Sequence, residues 1–192
     1  FGASITTLDN PRNIIQVLPD VRPSFFFAVP RIWEKMKAGI EAQLEQLPEE
    51  NRELAKKAIA AGVKRVQLEQ AGQEVPEAPA SVCARADEEL FSKLRALLGL
   101  QDAKAINTGA APTPVDVIEF FHAIGLELAE IWGMSETTGA GTTNPPGGVR
   151  IGTVGPPAPG IEIKLDTDGE VLIRGDVIMK GYRNLPEKTA ET

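Results

Sequence analysis

The stretch that most constrains this chain runs from Lys104 to Trp132, KAINTGAAPTPVDVIEFFHAIGLELAEIW. It reads as a short apolar strand (KAIN), a turn of small residues (TGAAPTP), a helix with Thr113 as its cap and Pro114 at its first position, and a second strand (LELAEIW). Two strands joined by a helical crossover run parallel, with the helix packed on one face of the sheet. Ligands of such sheets bind in the crevice beyond the carboxyl ends of the strands. TGAAPT and WGMSETTG each follow one strand, so both loops are expected at that edge, side by side.

The flanking sequence fills in the architecture. Asp9 or Asn10 before Pro11 marks a helix start, with Ile14, Ile15 and Leu18 facing inward and Pro19 closing the helix. SFFFAV reads as a short buried strand, followed by a helix with Ile32, Met36, Ile40, Leu44 and Leu47 at helical spacing. A second long helix is expected over 49–69 with Ala55, Ile59, Val63 and Val66 as its apolar stripe, then a Pro- and Glu-rich loop over 72–80. A further helix uses Leu90, Leu94 and Leu97. From Gly139 to Gly160 the chain reads as one long loop, and past it the period shortens to two. IEIKL, EVLIRG and VIMKGY are therefore predicted as short antiparallel strands, the first two joined by a DTDG turn. The expected fold is α/β: a partial doubly wound sheet with helices, followed by a small antiparallel β subdomain. The expected organisation is a partial α/β nucleotide-binding subdomain over 1–160, with a helical segment over 31–99, and the start of the β subdomain over 161–192.

Charge and cysteine content exclude several functions. A formal net charge of -7 without a basic cluster argues against a nucleic-acid or anionic-membrane surface. The single cysteine, Cys83, rules out an internal disulfide framework and suits a reducing compartment, so a cytoplasmic location is expected. The apolar runs are too short to span a bilayer. The chain begins at Phe1 and ends in a polar run, so it is expected to be a piece of a longer protein.

The two loops carry the chemistry. Gly109, Ala110 and Ala111 bear almost no side chain, so a flat ligand can lie on their backbone, and Pro112 stiffens that surface. Trp132 offers a facing ring, and stacking of a planar base between such walls contributes roughly 1–3 kcal/mol. Ser135 can donate to an anionic oxygen, whereas Glu136 beside it would repel one. Mg²⁺ reconciles them, because it takes one or two carboxylates together with substrate phosphates. The run Trp132, Gly133, Met134, Ser135, Glu136 then serves base, ribose-facing turn, phosphate and metal in order. The residues alone also fit a helix N-cap with an acidic first turn, and TGAAP fits a plain tight turn before a helix. His122, the sole histidine, and Trp33 read as packed helix residues, and Lys164, Lys180 and Lys188 as solvated strand or turn lysines.

IWGMSETTG resembles the aromatic-Gly-x-(Ser/Thr)-Glu motif of the adenylate-forming superfamily, and TGAAPTP resembles the adenine loop that precedes it there. GTVGPPAPGIEIKL, GEVLIRG and VIMKGYRNLPEKTAET continue in the family's order, and VRPSFFFAVPRIWEKM is similar to the long-chain acyl-CoA synthetase branch. The resemblance implies a two-step reaction in which a fatty carboxylate attacks the α-phosphate of ATP to give acyl-AMP, and coenzyme A then displaces AMP. It implies Ser135 and Glu136 as the catalytic pair, at the α-phosphate and on Mg²⁺ respectively. Gly109, Ala110, Ala111, Pro112, Trp132, Gly133 and Met134 complete the ATP/AMP contacts. It places the family's phosphate loop before Phe1, and its ribose-binding Asp and adenylation Lys after Thr192. It leaves peripheral membrane contact of the parent, and its oligomeric state, open. The alternatives are another acyl-adenylating ligase, or a non-catalytic nucleotide-binding or helical interaction module suggested by the charged helices between Glu34 and Arg95.

Overall fold

The computed structural model describes residues 2–191. Four strands, β1 (Phe25–Ala28), β2 (Ala105–Gly109), β3 (Leu128–Met134) and β4 (Gly139–Thr143), form one sheet in that order. The first three run parallel and β4 is antiparallel to β3. The helix α6 (Val115–Ala123) connects β2 to β3, which gives the expected βαβ unit. A separate two-stranded antiparallel sheet pairs β5 (Ile161–Leu165) with β6 (Val171–Gly175).

The core lies on the sheet face that carries Phe26, Ile106 and Leu128, which are register partners across three strands and all buried. Against it packs α2 (Pro30–Glu45), whose fully buried Trp33 joins Met36, Ile40 and Leu44. The Trp33 indole donates from Nε1 to Ala28 O at 3.2 Å and meets Phe26 and Phe121 edge-on at 5.4 and 5.0 Å. It thereby locks β1, α2 and α6 together. The helix α3 (Glu49–Gln70) lies along α6 through Ala55, Ala58, Gly62 and Val66, while Ile59 and Val63 are only partly buried. Leu47, expected on the α2 stripe, lies beyond the helix end and is exposed.

Several local expectations are corrected. Asn10 does cap the first turn, accepting from Arg12 N at 3.0 Å, but Pro19 does not end α1 (Ile14–Val21). A proline removes only one intrahelical donor, and the helix closes instead at Arg22, in the left-handed region with its N–H on Leu18 O. The strand SFFFAV is buried on one side only: Phe26 and Ala28 point inward, whereas Phe25 and Phe27 are exposed. Residues 77–80 belong to α4 (Glu77–Ala86) rather than to a loop, because Pro76 and Glu77 suit the first turn of a helix. A π turn over Asp87–Phe91 then precedes α5 (Ser92–Leu97). It rotates the buried stripe to Phe91, Leu94 and Leu98, leaving Leu97 exposed and Leu90 only partly buried.

The loop expected over 139–160 begins with β4, whose small Gly, Ala and Thr residues fit closely beside β3. VIMKGY is not a strand; its residues leave β6 as turns that lead to a short helix, α7 (Pro186–Glu191).

Replacing Trp33 with Ala should destabilise the chain by about 3–5 kcal/mol, since it opens a cavity where three elements meet and removes the indole donor to Ala28 O. Chemical denaturation of the two proteins would measure the difference.

Candidate active site

The two motif loops leave neighbouring strand ends. Gly109 and Ile131 are register partners in the parallel β2–β3 ladder, and a β-carbon on Gly109 would stand 2.5 Å from Ile131 O. The first loop is closed at its base by the buried pair Thr108 and Thr113, whose hydroxyls lie 2.8 Å apart. Thr113 is thus not the cap of α6; Pro114 holds that position, and its carbonyl accepts from Val117 and Ile118. Between the two threonines, Ala110 takes a positive φ of 68°, and Ala110, Ala111 and Pro112 are exposed. A non-glycine residue in that region costs of order 1–3 kcal/mol, and such residues concentrate at ligand sites.

The second loop begins on β3. The Trp132 indole is half-buried and rests on the β4 backbone: a β-carbon on Gly141 would lie 2.9 Å from its Cζ3. Gly133 admits no side chain at all, because a β-carbon there would come within 1.6 Å of Gly139 O. The ladder shifts register between these two residues, which bends the strand end. Ser135–Thr137 then form one 3₁₀ turn rather than the start of an α-helix, with Met134 at its cap and the acidic Glu136 within it. Buried Thr137 ties the turn: its Oγ1 accepts from Met134 N at 3.0 Å and has Met134 O and Gly139 O as acceptors, each at 2.9 Å. Thr138 follows with φ of 55°, the counterpart of Ala110 in the first loop.

Gly133, Met134 and Ser135 are exposed and Glu136 is half-exposed. Ile131 pairs with Gly109 at the base of the alanine loop, while Ser135 and Glu136 lie in the turn beyond the end of β3. The arrangement is an open shelf. Clefts of about 530 and 810 Å³ lie elsewhere, one beneath the proline-rich 144–159 segment and one beside α1 and β1; neither is lined by Trp132, Ser135 or Glu136.

The sequence did not single out Tyr182. Its hydroxyl donates to Glu136 Oε1 at 2.6 Å, and this bond, with Lys188 nearby, holds the carboxyl below its usual range and therefore ionised. Lys188 lies on α7 with Nζ 5.1 Å from the Tyr182 ring centre, not on a strand or turn, whereas Lys164 and Lys180 are exposed strand and turn residues as expected. The only prior signal for Tyr182 was its place in VIMKGYRNLPEKTAET; nothing in spacing links positions 46 residues apart. Glu130 was also missed: it is half-buried on β3, and burial pushes its carboxyl up while the Thr113 backbone N–H opposes that shift. His122 packs as expected, donating from Nε2 to Leu128 O at 3.0 Å, and burial holds its pKa below the usual 6.5.

A profile of the AMP-binding enzyme family matches residues 2–183. The chain belongs to that family. Among AMP-binding enzymes, it is 43% identical over all of its 192 residues to FadD11 of Mycobacterium tuberculosis, to which fatty-acid–CoA ligase activity is ascribed; the match spans 34% of that protein. It is 33% identical over 180 residues to the long-chain-fatty-acid–CoA ligase ACSBG2 of Xenopus laevis, covering 91% of this chain and 24% of the relative. The chain thus spans about a third or less of the length of these curated relatives. The solved fatty acyl CoA synthetase of Mycobacterium tuberculosis superposes with a TM-score of 0.54 at 20% identity, over 93% of this chain and 27% of that one, which supports the fold.

Because buried His122 resists protonation when folded, the unfolded chain binds more protons in the window below pH 6.5. Stability should therefore fall as pH drops from 6.5 toward the lower native value. Denaturant titrations at pH 7 and 5.5 should show this loss, and His122→Gln should remove the part that arises in that window.

Proposed function

We propose that this chain supplies the nucleotide-gripping shelf of an ATP-dependent ligase that activates a long-chain fatty acid as acyl-AMP and passes the acyl group to coenzyme A. The observation that carries the reading is the register pairing of Gly109 with Ile131, which sets the two motif loops on adjacent strand ends of one sheet. Membership of the AMP-binding family supports the adenylating step, and the names of the long-chain relatives support the substrate.

In this reading the exposed Ala110, Ala111 and Pro112, carried by the buried strand end at Gly109, take one face of adenine and Trp132 flanks the other. Gly133 and Met134 form the ribose-facing turn, and Ser135 donates to the α-phosphate. Glu136 fits a Mg²⁺ ligand: its carboxylate is half-exposed in the turn beyond β3, with Oε1 held by the Tyr182 hydroxyl. A single carboxylate sharing the ion with nucleotide phosphates suits this metal. The metal, when bound, offsets phosphate charge. A fatty carboxylate oxygen then forms a bond to the α-phosphorus as pyrophosphate leaves, and the coenzyme A sulfur next bonds the acyl carbon as AMP leaves. The chain's contribution is orientation and fixed dipoles rather than covalent chemistry.

The expected division near Gly160 is kept in this proposal, with residues up to 160 as the partial nucleotide-binding subdomain and 161–192 opening a β subdomain. Fatty acid, ATP and coenzyme A are its partners, with no nucleic acid among them, in the cytoplasm. Among the described residues no helix is long and apolar enough to cross a membrane.

In the complete protein, Glu136→Ala should lower ATP–pyrophosphate exchange by about 10²-fold or more, the scale for losing a group that stabilises developing charge. Exchange near the wild-type rate would remove Glu136 from the site. A panel of long-chain, short-chain and aromatic acids in the same assay should favour the long chains.

A further inference from the structure

Outside the motif loops, the feature that bears most directly on the shelf is the segment 177–189. Met179 N donates to Glu136 O at 2.9 Å, and Thr138 Oγ1 donates to Val177 O. Those two bonds lay the segment along the Ser135–Thr137 turn. Tyr182 then reaches back with its hydroxyl 2.6 Å from Glu136 Oε1. Its own place is fixed twice more: its backbone N–H donates to Thr189 Oγ1 at 2.9 Å, and its ring lies under Lys188 Nζ. The phenol is thus a held donor.

We infer that Tyr182 is a positioning residue that holds Glu136 Oε1 and so fixes the carboxylate, which would leave Oε2 as the oxygen free of this bond to take a divalent cation. The inference rests on the reading of Glu136 as a metal ligand. The physical reason is the geometry of a carboxylate on a free rotamer. Unrestrained, it offers both oxygens and several directions, whereas a Mg²⁺ ion demands near-ideal octahedral geometry and binds through few carboxylates. Partners that orient a ligating carboxylate contribute 10–100-fold to metal affinity or activity. Docking of 177–189 and readiness of the metal site become one event, because the same side chain serves both.

The test compares wild type, Tyr182→Phe, Thr189→Val and Glu136→Gln in the complete protein. Mn²⁺ affinity is read by electron paramagnetic resonance with a non-hydrolysable ATP analogue present, AMP affinity is read without metal, and melting temperature reports the fold. Tyr182→Phe keeps the ring under Lys188 and should weaken Mn²⁺ binding about 10-fold, with AMP affinity within twofold of wild type. Thr189→Val loosens the tyrosine without touching Glu136. It should give a smaller loss of the same metal-selective kind, and it carries the test if Tyr182→Phe melts early. Unchanged Mn²⁺ affinity in both, with a large loss in Glu136→Gln, overturns the positioning role and leaves Glu136 a ligand. Unchanged affinity in Glu136→Gln removes the ligand and with it this inference. Equal losses for Mn²⁺ and AMP would make Tyr182 a merely structural residue and also overturn it.

Discussion

The parallel ladder between β2 and β3 is the constraint on which the site depends. Its register fixes Gly109 opposite Ile131, and from that pairing follows the adjacency of the two loops. The ladder is itself held by the core beneath it. Ile106 and Leu128 share one buried cluster with the inner face of α6, and Trp33 ties that helix to β1 through Phe26 and Phe121. A one-residue slip would turn Leu128 outward and move every motif residue, so the apolar side chains that stabilise the fold also align the chemistry.

The pieces of the fold that local pattern determines were legible. KAIN, the helix after TGAAPTP and LELAEIW obey periods that hydrophobic residues alone set, and α2 was plain from Met36, Ile40 and Leu44. What failed was decided by packing between distant segments. The stripe of α5 was misread because a π turn inserts an extra residue into the helical period, a geometry with no composition of its own. β4 was hidden inside a glycine-rich stretch that reads as loop. It is a strand because β3 offers a ladder partner and Gly133 lets the backbones close to contact.

The candidate site divides the same way. Residues that the two local motifs leave at least partly exposed were readable as Ala110, Ala111, Trp132, Ser135 and Glu136, since each type has a distinct chemical use, whereas Gly109, read with them, is buried at the strand end. Their supports were not. Thr108, Thr113 and Thr137 are ordinary threonines in sequence, yet their buried hydroxyls close one loop and shape the other. Tyr182 depends on a chain reversal after β6 that no periodicity announces, and its hydroxyl is what makes Glu136 more than an exposed acid.

The outward phenyl rings of β1 set a final condition. Phe25 and Phe27 stand on a strand at the border of the four-stranded sheet, and they are 60% and 44% exposed. A sheet border with apolar side chains is a template on which another extended polypeptide can add. Phe27 also reaches the first motif loop, since a β-carbon added to Gly109 would stand 3.2 Å from its Cε2, so that rim adjoins the candidate site. A lysine introduced at Phe25 would discourage such accretion while leaving the inward Phe26 to its packing.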